Sequence, residues 1–249
     1  MPLTEPSAAL PAARPLAEAF SGAPLDIIKT VAAISMTVDH TGKILFGFKS
    51  FTCWYIGRAA FPLFVFAIAV HLLRGVRPWP FVQRLLLLAV VSQPAYALAF
   101  GSKDANTVFT LAIGATMAVL LVAQSSPIRH LSLAMVVSAL FQPWLPMSMG
   151  LDFNLGGVIL PAALVLALGG GWEYFPWLAL VAVALSRYPH VWLIDELIAF
   201  GSITLGCGGV VLGSLLWRGQ PRFLPRYAFY VFYPGHLLLL ALLKAVLLS

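Results

Sequence analysis

Charged side chains are scarce in this chain. Asp, Glu, Lys and Arg make up 10% of its 249 residues, against about 25% in soluble domains. Hydrophobic residues make up 61%, and the mean hydropathy is +0.93. No water-soluble fold of this size could bury that much apolar surface, so a soluble enzyme or carrier is excluded. Acidic groups are scarcer than basic ones, nine against fifteen, for a formal net charge of +6. In a soluble protein that balance would suggest nucleic acid. Here the Lys and Arg residues fall in short segments between apolar runs, as membrane orientation produces, and no nucleic-acid partner is expected. Cysteine is nearly absent: Cys53 and Cys207 make no CxxC pair and no metal-ligand spacing. They read as free structural thiols, and no metal is expected. Residues 1–24 carry repeated Pro with Glu5 and Glu18, and lack an unbroken apolar stretch behind a basic start. They read as a flexible cytoplasmic tail rather than a cleaved signal.

What fills the rest is apolar sequence in bilayer-length pieces. A hydrocarbon core of about 30 Å takes about 20 helical residues. Such stretches lie near 25–46, 55–73, 81–100, 107–123, 129–146, 154–170, 173–187, 196–217 and 227–247. Turn-forming runs such as Arg77-Pro78-Trp79-Pro80 and Arg218-Gly219-Gln220-Pro221 separate them. The expected fold is therefore all-α, one polytopic integral membrane bundle over residues 25–249 with about nine transmembrane helices, roughly 8–10. Placing the N-terminus in the cytoplasm puts both of the densest Arg clusters on that side.

A charged side chain near the bilayer centre costs roughly 2.5–3.5 kcal/mol and usually marks partners, pathways or chemistry. The doublet Asp39-His40 near the end of the first span is the foremost case. Eleven residues separate Lys29 from His40. That is three helical turns plus about 20°, with roughly 16 Å of rise, so Lys29, Ala33, Met36 and His40 share one stripe. Asp26 with Lys29, and Asp39 with Lys43, have the spacing of local ion pairs; His40 has no such partner. At a similar depth the topology brings Arg58, Gln93, Asn106, Thr107, Thr110, Tyr233 and His236. Interhelical hydrogen bonding would explain the Gln, Asn and Thr residues without a substrate, and a headgroup anchor would explain Arg58. His71, His130 and His190 read as interfacial. At the opposite end Arg74, Arg77 and Arg84 bracket one loop, and Arg218, Arg222 and Arg226 another. They set topology by binding anionic lipid, or they form a guanidinium cradle for phosphates.

Five segments carry a resemblance: LDIIKTVAAISMTVDHTGKILF (25–46), YIGRAAFPLFVFAIAVHLLRG (55–75), QRLLLLAVVSQPAYALAF (83–100), NTVFTLAIGATMAVL (106–120) and RYAFYVFYPGHLLLLALLK (226–244). Through them the chain resembles the TraX family, whose founding member acetylates the N-terminus of conjugative F-type pilin. It is more distantly similar to the acyltransferase-3 and heparan N-acetyltransferase families, with Lys29 standing where those carry Arg and His40 eleven residues beyond. The resemblance implies a bacterial inner-membrane acetyltransferase that uses acetyl-CoA as donor and a pilin-like peptide amine, or a glycan, as acceptor. It implies Lys29, Arg74, Arg77 and Arg84 as phosphate holders and His40 as the base that takes the acceptor's proton. Asp39 would pair with Arg58 or with the incoming ammonium. Tyr233, Asn106 or Gln93 would donate to the thioester oxygen, Thr110 would contact substrate, and His236 would complete the site. Three other classes are compatible with mid-depth polar groups: a transporter, a haem carrier with His40 and His236 as axial ligands, and a non-catalytic pilus assembly factor.

Overall fold

The computed structural model describes residues 14–47, 50–75, 77–122, 154–170 and 193–247. The expected spans at 129–146 and 173–187 lie outside them. The described residues form helices and no strand: α1 (Arg14–Ala19), α2 (Ala23–Ile44), α3 (Phe51–Gly57), α4 (Ala60–Leu73), α5 (Pro78–Phe100), α6 (Thr107–Val122), α7 (Asn154–Gly170), α8 (Leu193–Ser214) and α9 (Ala228–Leu247). Among the described residues three stretches are long and apolar enough to cross a membrane, namely Phe51–Leu73, Pro78–Phe100 and Ala228–Leu247. The chain is an all-α, multi-pass membrane protein.

The outer surface is unlike that of a soluble bundle. Large apolar side chains face outward from α5 (Leu87, Val90, Leu98) and α9 (Val231, Leu239, Leu242), where lipid can cover them. Small ones face inward: Ala32, Ala69, Ala89, Ala99, Ala112, Ala115, Ala162 and Ala163 are all within 1% of complete burial. Helices packed in lipid gain little from hiding Leu and more from close backbone approach, which small residues allow. The second expected span is two helices, broken at Arg58-Ala59 by a three-residue bond from the Ala59 N–H to the Ile56 carbonyl (3.2 Å).

Helix α2 is the axis of the arrangement, packing against α3, α4, α8 and α9. Its first turn is held by a distant loop. The Ala23 N–H donates to the Gln220 carbonyl (3.1 Å), and Asp26 Oδ2 accepts from the N–H groups of Phe223 (3.1 Å) and Leu224 (3.0 Å). Gly22 opens this helix at φ 76°, with the Gln220 carbonyl where a Cβ would stand; only glycine meets both demands. Asp26 also faces Arg222 (Nε to Oδ1, 3.4 Å). The expected Asp26–Lys29 pairing is thus replaced by a tie to a loop almost two hundred residues away. A carboxylate with 1% exposure needs several donors at once, and two backbone N–H groups with a guanidinium supply them.

The N-terminal reading also changes at its edge. Residues 14–24, expected within the flexible tail, include helix α1 and bury Ala17 and Phe20, with Phe20 meeting Phe66 edge-on at 5.0 Å. Residues 1–13 lie outside the described residues.

Candidate functional site

A cavity of about 180 Å³ is lined by residues of α2, α4, α5, α6 and α9. Lys29 and His40 both line it, and they are roughly 16 Å apart along α2. A cavity that reaches from one to the other is elongated, a bore running beside α2. Its walls are mostly apolar, with Phe64, Ala67, Ile68, Leu85 and Leu88 between the ends. The ends differ in charge. One mouth carries Lys29, Arg222 and Arg226 with His71 just inside; the other carries Asp39, His40 and Lys43 beside Gly57.

Of the stripe expected on α2, Lys29, Met36 and His40 line the bore and Ala33 does not. At its far end His40 Nδ1 stands 2.8 Å from His236 Nε2, although 196 residues separate them in sequence. Both rings are buried, at 5% and 8% exposure. His236 in turn places its Nδ1 3.0 Å from the Phe232 carbonyl oxygen, and its ring lies nearly parallel to that of Phe232. Tyr233 lines the bore with its ring 5.6 Å from that of His236. The two histidine side chains meet each other directly, at hydrogen-bonding distance.

Asp39 meets Lys43 at 2.6 Å, the pairing one turn along the same helix. Its other oxygen, Oδ1, is buried without a hydrogen-bond partner. Gly57 makes this arrangement possible, because a Cβ there would come within 2.6 Å of Asp39 Oδ1. The Ser35 hydroxyl, donating to the Ile56 carbonyl, pins the end of α3 at that approach. Arg58 points elsewhere, its guanidinium 5.1 Å from the Trp54 ring centre, so the expected Asp39–Arg58 pair gives way to Asp39–Lys43. The i to i+4 spacing favours the local partner.

Other sequence expectations are redistributed. Arg74, Arg77 and Arg84 are exposed and off the bore wall; Arg222 and Arg226 take the mouth because the Asp26 tie draws their loop over the start of α2. Arg74 and Arg84 contribute positive potential near His71 from outside. Gln93 and Asn106 bond to each other and to backbone. The Asn106 amide donates to the Ala89 carbonyl (2.8 Å) and Gln93 Oε1 (2.9 Å), and Gln93 Nε2 donates to the Asp104 carbonyl (2.7 Å). Asn106 Oδ1 accepts from the Val108 N–H (3.0 Å), capping α6. This network joins the end of α5 to the start of α6 and leaves these groups off the bore wall. Thr110 is fully buried away from the bore, whereas Thr107 borders it. Sequence reasoning passed over His71, read as interfacial. It lies on the bore with its ring 4.1 Å from Phe81 and its Nε2 buried without a hydrogen-bond partner. Its four-residue spacing from Ala67 on the inward face of α4 was the available signal. No cluster of metal ligands occurs among the described residues.

Comparison with known proteins agrees with the geometry in scope. A family model described as TraX protein matches residues 24–244. Protein TraX of Escherichia coli is 31% identical over 221 residues, spanning 88% of this chain and 86% of that protein. The probable fimbrial assembly protein FimC, serogroup H1, of Dichelobacter nodosus is 28% identical, spanning 88% of this chain and 95% of that protein. No solved structure matches.

Proposed function

This chain belongs to the TraX family, and on that premise we propose that it is a membrane-embedded acetyltransferase carrying acetyl groups from acetyl-CoA to an amine in or across the bacterial inner membrane. The acceptor is the N-terminal amine of a pilin-like peptide by family likeness; a glycan amine or hydroxyl has the same chemistry. The observation that carries this reading is one bore with a basic mouth at Lys29, Arg222 and Arg226 and the buried His40 at its other end.

The nucleotide phosphates stay at the mouth, where guanidinium groups suit bidentate contacts. The thioester arm extends from there along the bore, past His71. At the far end Asp39 Oδ1, buried without a hydrogen-bond partner, accepts from an N–H of the acceptor, which reacts as the neutral amine after its ammonium has lost one proton to solvent. His40 takes a proton from the attacking nitrogen as the nitrogen–carbon bond forms. Charge then gathers on the former carbonyl oxygen, and Tyr233, which lines the bore, donates to it. The carbon–sulfur bond breaks, the thiolate leaves, and the proton held by His40 passes to sulfur. The products are the acetylated acceptor and free CoA thiol.

The test uses purified protein in lipid nanodiscs with labelled acetyl-CoA and a pilin-like N-terminal peptide. His40→Ala is expected to lower transfer by about 10²–10⁴-fold, the range for a general base, without loss of folded protein. Undiminished transfer by that variant removes His40 from the chemistry. The FimC relative, named as a probable fimbrial assembly protein, supports a second reading, non-catalytic service in pilus assembly. That reading predicts no acetyl transfer by the wild-type protein to any pilin peptide.

A further inference from the structure

We propose that His236 is a positioning residue that holds His40 as the Nδ1–H tautomer and so leaves its Nε2 lone pair free for the acceptor's proton. The catalytic consequence rests on the acetyltransferase reading; the tautomer itself does not.

The assignment runs outward from a carbonyl. His236 Nδ1 lies 3.0 Å from the Phe232 oxygen, and a carbonyl oxygen only accepts, so the proton of that ring sits on Nδ1. A neutral imidazole carries one N–H, which makes His236 Nε2 an acceptor. That nitrogen is 2.8 Å from His40 Nδ1, so His40 Nδ1 carries the proton and Nε2 does not. The two ring planes differ by 9° and their centroids are 5.1 Å apart. Nitrogens 2.8 Å apart, with centroids farther apart by about two ring radii, mean that the rings meet edge to edge in nearly one plane. The N–H therefore points along the lone pair. Phe100, edge-on to His40 at 5.1 Å and 84°, and Phe232, nearly parallel to His236 at 4.8 Å and 8°, hold both rings in those orientations.

His236 does not stand on the bore wall; it is behind His40 and acts through it. In soluble catalytic triads a carboxylate orients the base. Within hydrocarbon an ionised carboxylate behind the base is costly to bury, and the carboxylate next in sequence, Asp39, is committed to Lys43. A neutral imidazole anchored on a backbone carbonyl fixes the same tautomer without adding a buried charge.

The experiment is ¹⁵N NMR of histidine-labelled protein in nanodiscs, with His40 assigned by its loss in His40→Gln, paired with transfer kinetics. In wild type, Nε2 of His40 is expected to show the unprotonated shift and Nδ1 the protonated one. His236→Leu should give a mixture of tautomers at His40. It should also lower kcat by about 10–100-fold, as for loss of an outer orienting bond, with KM for acetyl-CoA unchanged. His236→Gln, which can accept from His40 and donate to Phe232, should restore a single tautomer and most of kcat. A proton on Nε2 of His40 in wild type overturns the proposal, as does a folded His236→Leu protein with an unchanged His40 tautomer. If the leucine variant fails to fold, the wild-type and glutamine spectra decide. Transfer that survives His40→Ala overturns the enzymatic reading separately, and the spectra still report the tautomer.

Discussion

Gly57 shows how much one missing methyl group can matter. Nothing in its sequence setting marks it, yet the Asp39 carboxylate packs directly against its Cα. Gly57→Ala should force either α3 or the Asp39 side chain to move, at a cost of about 1–3 kcal/mol for such overpacking. A lower melting temperature in detergent and weakened acceptor binding are the expected results. An alanine variant matching wild type in both would show that Asp39 adapts freely. The residue scale also divides the polar groups that sequence reasoning had pooled. Gln93 and Asn106 are side chains of the right type at the right depth, but their bonds run to one another and to backbone. Residue type and depth are readable from sequence; the direction of an amide's bonds is not.

Among the elements, α2 and the loop ahead of α9 form the decisive pair. The Asp26 tie fixes the loop that carries Arg222 and Arg226 to the mouth of the bore. Asp26→Asn keeps the shape and loses the charge, and hydrogen bonds to a charged group are worth about 1.5–3 kcal/mol. Trypsin should then cleave after Arg222 or Arg226 faster than in wild type. Arg222→Ala should raise KM for acetyl-CoA by about tenfold, equivalent to roughly 1.4 kcal/mol, while Arg77→Ala leaves it within twofold. Equal effects of the two substitutions would return the mouth to a diffuse surface field. Both Arg clusters were visible as charge. Which of them reaches the donor's path depends on Asp26, whose short-range spacing pointed to Lys29 instead.

At the scale of the whole molecule the bore gives the protein two chemically distinct ends, and orientation in the bilayer decides which substrate meets each. The start of α2 and the Arg218–Arg226 loop lie at one end, because Ala23 bonds to Gln220. The α5–α6 loop, with exposed Lys103, follows the far end of α5. With the N-terminus cytoplasmic, Lys103→Cys on a Cys53→Ser, Cys207→Ser background should react with an impermeant maleimide on cells with opened outer membranes. Arg218→Cys should react only after lysis. The reverse pattern would place the basic mouth outside, where acetyl-CoA does not occur, and would end the donor assignment.

Composition and periodicity by themselves determined that this chain is a helical membrane protein, where most of its described helices run, and that Lys29 and His40 share a stripe. Those properties follow from hydropathy and the helical repeat, which are local. Tertiary structure decided that His40 faces His236, that Asp26 answers a loop near residue 222, and that Arg222 and Arg226 rather than Arg74, Arg77 and Arg84 edge the bore. Each of those pairings joins groups far apart in the chain, so it depends on which helices pack together, and the spacing of neighbours along one helix carries no record of that choice.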